Sequence, residues 1–251
     1  MKNNNYKYII YIKKMIDLII DKIKLLSFED DIGHGINHFI RVYNHGLECI
    51  KYEDLNKDQE QAILIACLLH DVDDHKFSNN KNNETAIKIM QECNYDNIEL
   101  VCQMINLVSC SKNGCSDYDP KWMLIPRDCD RLEAIGAIGI FRAYLYGVYT
   151  NRPIYSTTTP APNNMKDLKL FATEDRFSNY KSNSESLIDH LYDKILHIGL
   201  EKNLKSCNKY IKKEAKLRNY ETIYIIMHIK EICPTNEDHE ELKKYLKEQI
   251  L

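Results

Sequence analysis

Glycine and proline are scarce in this chain, 8 and 6 among 251 residues, and tryptophan occurs once. That scarcity excludes collagen-like and low-complexity architectures and leaves few points at which a helix must break. An excess of charge of one sign is also missing: 34 Lys and Arg stand against 37 Asp and Glu, a net charge of -3. No global basic field recruits a nucleic-acid backbone or an anionic membrane, although a local phosphate site remains compatible with this balance. Long uninterrupted apolar runs are absent as well. The Ile-rich stretch Tyr6 to Leu26 is broken by Lys13, Lys14, Asp17, Asp21, Lys22 and Lys24, which excludes a membrane span or a signal h-region and predicts an amphipathic helix. The nine cysteines are odd in number, scattered from Cys49 to Cys233 and follow no secretory signal, so the expectation is reduced thiols in a cytoplasmic protein. With 44% hydrophobic residues the chain can bury a sizeable core.

What is present is helical periodicity. Ile9, Ile12, Ile16, Ile19, Ile20 and Ile23 recur at helical spacing and predict a first helix ending near Ser27. Phe39, Ile40, Val42, Tyr43, Leu47 and Ile50 form the apolar side of a second, from Ile36 to Tyr52. Asn56 and Gln59 have capping-box spacing, and the apolar stretch Ala62 to Leu69 predicts a helix buried on most sides, closed by His70 and Asp71. Asn83 is placed to cap a helix containing Ala86, Ile89 and Met90, and another helix follows from Asn97 to Val108. From Pro120 a long helical pattern runs to Leu145, with Gly136 and Gly139 allowing close helix approach. Ser156 to Ser184, rich in Pro, Asn, Ser and Thr, reads as a loop. Ser186 to Ile198, Leu204 to Cys233 and Glu237 to Ile250 are again helical. No segment alternates with period two. The expected fold is all-α, with an N-terminal amphipathic helix (1–29), a core (30–155), a loop or lid (156–184) and C-terminal helices (185–251) completing the same domain.

The sharpest chemical feature is His70-Asp71, two polar residues closing an apolar helix where burial without partners is costly. A metal ion in a notch completed by other helices would satisfy both. Candidate co-ligands are His38, on a helix that also carries Arg41, and Asp130, in the cluster Asp128-Cys129-Asp130-Arg131. Two imidazoles and two carboxylates suit an octahedral divalent cation, manganese first, with magnesium, iron, cobalt, zinc or nickel as alternatives. His34 and His38, four residues apart, could instead pair on zinc, but the Glu of an H-E-x-x-H motif is missing, and His34 reads as a neighbour or substrate contact.

His38, His70-Asp71 and Asp130 lie within G-H-G-I-N-H-F-I-R-V, L-L-H-D-V-D-D-H-K-F and D-C-D-R-L-E-A-I-G-A-I-G-I. These motifs resemble the HD-domain metal-dependent phosphohydrolases, in particular the bacterial HD-domain nucleotide pyrophosphohydrolase branch, whose later H-x-Y-x-K-[IL]-L helix is echoed from His190 to Leu196. The resemblance spans roughly Ile32 to Cys233. It implies an HD-domain helical bundle with additional terminal helices, one divalent ion and a small-molecule nucleotide substrate. Cleavage of a nucleoside triphosphate to monophosphate and pyrophosphate is the first expectation. A phosphomonoesterase, a phosphodiesterase or a non-catalytic nucleotide- or metal-binding module are the alternatives. Two departures stand out: Gly35, where many relatives carry an Asp, and the segment Ser156 to Ser184, which aligns with nothing in the family.

Four cationic side chains near the motifs suit phosphate: Arg41, Lys76, Lys112 and Arg131. Arg131 has an equally weighted structural role, an ion pair with Asp128 or Glu133, and Lys112 an equally weighted one as a loop lysine. Asp73 and Asp74 either orient the attacking water, Asp74 being the better candidate, or end the helix in solvent.

Overall fold

The computed structural model describes residues 2–26, 35–73, 82–158, 162–180 and 184–232, together with Glu240 and Lys244. The fold is all-α, and no strand occurs among the described residues. No helix there is long and apolar enough to cross a membrane. The chain forms two compact units, one drawn from residues 1–30, 34–130 and 205–210, the other mainly from 131–204 and 211–251.

The first unit contains α1 (Lys2–Lys24), α2 (Ile36–Cys49), α3 (Lys57–Leu69), α4 (Glu84–Glu92), α5 (Ile98–Val108), the single turn α6 (Cys110–Asn113) and most of α7 (Ile125–Glu133). Its centre is α3, buried at every position from Ala62 to Leu69 and packed on α1, α2 and α5. The capping box is present as read: the Asn56 side chain accepts from the Gln59 backbone, and Gln59 answers to the Asn56 N–H. Ile16, Ile19 and Ile23 of α1 are buried against this centre, whereas Leu18 on the opposite face is exposed. Close approach of α2 to α3 depends on Gly46, where a Cβ would lie 3.0 Å from the Cys67 sulfur.

One expected cap is replaced. Asn83 lies in the left-handed region and its side chain caps nothing; the Asp73 carboxylate instead accepts from the backbone of Thr85 and Ala86 at 3.0 Å each. A cap drawn from outside the helix satisfies the orphan N–H groups equally well, and it gives Asp73 a structural role.

The second unit holds α8 (Gly136–Tyr149), α9 (Met165–Phe171), α10 (Glu174–Ser178), α11 (Leu187–His190), a π-turn over Leu191–Ile195, α12 (Leu196–Ile198) and α13 (Lys209–Ile232), whose first two residues belong to the first unit. The long helix expected from Pro120 to Leu145 is broken at Ala134–Ile135. Gly136 takes a φ of +74° and its N–H donates to Thr222 Oγ1 at 2.7 Å, while a Cβ on Gly139 would meet the Ala134 carbonyl carbon at 2.3 Å. The two glycines thus accompany the break between α7 and α8, and Gly136 also permits the expected close helix approach, since a Cβ there would lie 3.0 Å from Arg218 Cβ of α13.

The segment 156–184, read as a loop, contains α9 and α10. Asn164 and Thr173 side chains cap them, so Asn and Thr act as helix starts here rather than as loop filler. Helix α10 is tied down by Arg176, which pairs with Asp189 at 2.9 Å and Asp193 at 2.6 Å, and by Phe177, stacked on His197 at 4.8 Å between ring centroids. Lys166 and Lys169 on α9 are exposed and Arg176 is half-buried. Limited trypsinolysis is therefore expected to cut after Lys166 or Lys169 before Arg176; first cleavage at Arg176 would mean that the double ion pair does not hold α10 in place.

Candidate metal centre

The four proposed ligands arrive on three helices of the first unit. His38 sits in the first turn of α2, His70 and Asp71 directly follow α3, and Asp130 lies in the middle of α7. One donor atom from each of the four lies within 4.8 Å of the others. His38 Nε2 and His70 Nε2 are 3.2 Å apart; Asp130 Oδ1 is 3.3 Å from the former and 3.6 Å from the latter. Asp71 Oδ2 completes the set at 3.3 Å from His70 Nε2 and 3.8 Å from His38 Nε2.

This donor set fits a divalent ion. Two atoms each about 2.1 Å from one cation lie roughly 3.0–3.5 Å apart for angles between a right angle and the tetrahedral one; three of the separations here, 3.2, 3.3 and 3.3 Å, fall in that window, and those of 3.6 and 3.8 Å lie just beyond it. The imidazole of His70 is oriented for it: its Nδ1–H donates to the Cys67 carbonyl at 2.9 Å, which leaves Nε2 with a lone pair toward the cluster. His70 and Asp71 also follow the carbonyl end of α3, the end of a helix that favours positive charge. The two imidazoles are buried, with Phe39 against His70 at 5.5 Å between ring centroids, while Asp71 and Asp130 are partly exposed, so the carboxylate side is the open one.

Electrostatics give the same account. Burial pulls the His70 pKa down, but the Asp71 and Asp130 carboxylates more than reverse this and hold it well above the ordinary histidine value. Burial pushes Asp130 up, and the His38 and His70 contacts outweigh it, taking its carboxyl far below the usual carboxylate range. Without a cation the two carboxylates favour the protonated His70 imidazole, and an ion needing neutral imidazole must displace that proton. Because the His70 pKa is raised, apparent metal affinity is expected to fall as pH drops through that elevated value. Calorimetric titration in two buffers of different ionisation enthalpy should show about one proton released per ion at neutral pH; no release would contradict this description of the cluster.

Of the other residues singled out, Arg41 is half-buried on α2, one turn beyond His38, and Lys112 is exposed on α6. Arg131 is buried and its Nη1 donates to the Asn203 carbonyl at 2.7 Å. Asp128 and Glu133, the acids considered as its partners, also pair with other arginines, Asp128 with Arg127 and Glu133 with Arg218. His34, Asp74 and Lys76 lie outside the described residues. Cys129 packs, with its sulfur 3.6 Å from that of Cys49, and all eight described cysteines are free thiols.

Solved structures share the fold of this chain, and one of them is described as an HD-superfamily hydrolase. An HD-superfamily hydrolase from Bacillus thuringiensis superposes with a TM-score of 0.61 at 24% identity, covering 88% of this chain and 97% of its own. A Lactobacillus plantarum protein gives 0.65 at 24% identity, covering 87% and 95%. Bacillus subtilis YpgQ, crystallised in complex with ADP, gives 0.63 at 17% identity, covering 90% and 99%. No family model matches the sequence. The chain belongs to the family of the uncharacterized protein L803 of Acanthamoeba polyphaga mimivirus, with 39% identity over 224 residues that cover 82% of this chain and 92% of the relative.

Proposed function

We propose that this protein is a metal-dependent phosphohydrolase acting on a nucleotide, with manganese as its ion and a nucleoside triphosphate as its substrate. The observation that carries the reading is the convergence of His38, His70, Asp71 and Asp130 within 4.8 Å. An ion held there lowers the pKa of a water and polarises a phosphoryl oxygen. The ADP bound by YpgQ, a protein of the same fold, supports a nucleotide as the ligand class.

In this reading the two buried imidazoles stay neutral and, with the Asp71 and Asp130 carboxylates, keep the cation at the open edge of the first unit. Arg41, one turn from His38, and Lys112 offset phosphate charge, together with Lys76 from its sequence position. Arg131, engaged with the Asn203 carbonyl, is left out of that set. Asp74 accepts the proton of the attacking water. Water adds to the α phosphorus, the bond from that phosphorus to the bridging oxygen breaks, and pyrophosphate leaves with a nucleoside monophosphate as co-product.

The test is product analysis. The purified chain is incubated with manganese and a panel of nucleoside triphosphates, and products are resolved by chromatography. Pyrophosphate with monophosphate is the expected result. Orthophosphate with diphosphate, or turnover of monophosphates or diesters alone, would replace the reading with a phosphomonoesterase or a phosphodiesterase; binding without any turnover would make the site a nucleotide- or metal-binding module.

A further inference from the structure

The first unit is not continuous in sequence. After the 74 residues 131–204 the chain returns to it for only six residues, Lys205–Tyr210, and then leaves again. Those six residues are held at three places. The Ser206 N–H donates to Asp128 Oδ2 at 2.8 Å. The Asn208 side chain donates to the Cys49 carbonyl at 3.0 Å and to Glu53 Oε1 at 2.7 Å, while its oxygen accepts from the Tyr210 N–H at 3.0 Å. The Tyr210 hydroxyl meets His45 Nδ1 at 2.7 Å. Ser206, Asn208, His45 and Asp128 are all buried.

The placement of these contacts matters more than their number. Asp128 is two residues from Asp130 on α7. His45 lies two helical turns after His38 on α2, so it shares a face with that ligand. The returning segment thus joins the two helices that bring His38 and Asp130 to within 3.3 Å of each other. A direct contact between those helices is the Cys49 and Cys129 thiol pair at 3.6 Å, a weak interaction. Between the pinned residues, Cys207 adopts a φ of +60°, a left-handed conformation that residues with a Cβ rarely take and keep only where the surroundings determine it. Ser206 on one side and Asn208 on the other supply that determination.

We infer that Asn208 and Tyr210 are positioning residues for the metal centre, fixing the distance between the ligand helices α2 and α7 from a segment more than seventy residues beyond the last ligand. The inference rests on the metal-site reading of His38, His70, Asp71 and Asp130. Neither positioning residue is among the four ligands: Asn208 acts through the Cys49 carbonyl and Glu53, and Tyr210 through His45, while the neighbouring Ser206 N–H holds Asp128.

The experiment measures manganese(II) binding to the full chain by calorimetry, at a temperature where circular dichroism shows every variant folded, alongside the thermal midpoint of each metal-free protein. Asn208→Ala is expected to weaken manganese binding by about tenfold or more, the scale of outer-sphere substitutions in metal proteins. Tyr210→Phe should give a smaller loss in the same direction, and Cys207→Ser, an exposed position in the same turn, should leave affinity unchanged. Should Asn208→Ala not fold, Asn208→Asp serves: it keeps the acceptor for the Tyr210 N–H, removes both donated bonds and is judged by the same tenfold criterion. A lowered midpoint with affinity within twofold of wild type would make the segment a structural tie only and overturn the inference. Absence of manganese binding by the wild type would instead refute the metal centre itself, an outcome distinct from the first.

Discussion

Asp71→Ala is expected to strip the ion from the protein while leaving its helices folded. Asp71 provides one of two carboxylates in the donor set and is partly exposed, so truncation removes a charge and a ligand without opening a cavity in the core. Losing a direct ligand exceeds the roughly 10- to 100-fold cost of losing a residue that merely orients one, so the ion should be lost on dialysis. Phosphohydrolase activity should vanish with it. Metal content by elemental analysis after dialysis, with far-ultraviolet circular dichroism for folding, checks both halves of the expectation. Full occupancy in the variant would show that the ligand set is wrong; a collapsed spectrum would show that the ion holds the unit together.

The largest effect on stability is expected at Asp128. Its carboxylate and the Arg127 guanidinium are both fully buried, with Arg127 Nε 3.3 Å from Asp128 Oδ1 and Arg127 Nη1 donating to the Ser116 carbonyl at 2.8 Å. Asp128→Ala leaves an arginine charge buried without its counter-ion and also orphans the Ser206 N–H. Breaking a buried pair from one side costs about 3–5 kcal/mol. For a protein of this size that corresponds to a fall in thermal midpoint of roughly 10 °C. Replacing both members with apolar residues of similar volume should cost much less, because no uncompensated charge then remains. A single variant within about 0.5 kcal/mol of wild type, the scale of a surface substitution, would mean that Arg127 reaches water.

His38, His70, Asp71 and Asp130 were legible because a polar His-Asp pair at the end of a uniformly apolar helix demands a partner, and the flanking motifs supply it in order. The capping box at Asn56 and Gln59 was legible for a similar reason, since both halves lie within one turn. The break at Ala134–Ile135 was not, because apolar spacing continues across it and the accompanying feature is a positive φ at Gly136. Asp73 as the cap of α4 was missed because the interaction joins residues 12 and 13 apart. Arg127 and Arg218 were missed as partners of Asp128 and Glu133, Arg218 because it lies 85 residues from Glu133. Asn208 and Tyr210 carry no local signal at all; their importance comes from where the chain returns.

That return has a consequence for how the protein is made. Ser206 pairs with a residue 78 positions earlier, Asn208 with one 159 earlier and Tyr210 with one 165 earlier. Closing loops of this size must precede any reward from the contacts they make, which slows folding and raises contact order. During synthesis the ligand-bearing helices leave the ribosome first, yet the unit they form stays unfinished until residue 210 has emerged. A nascent chain stalled before Lys205 would expose the Asp128 carboxylate, the Cys49 carbonyl and the His45 ring to solvent or to chaperones. Maturation of the centre thereby waits for a segment made well after its ligands, which separates the birth of those ligands from the moment they can hold an ion in register.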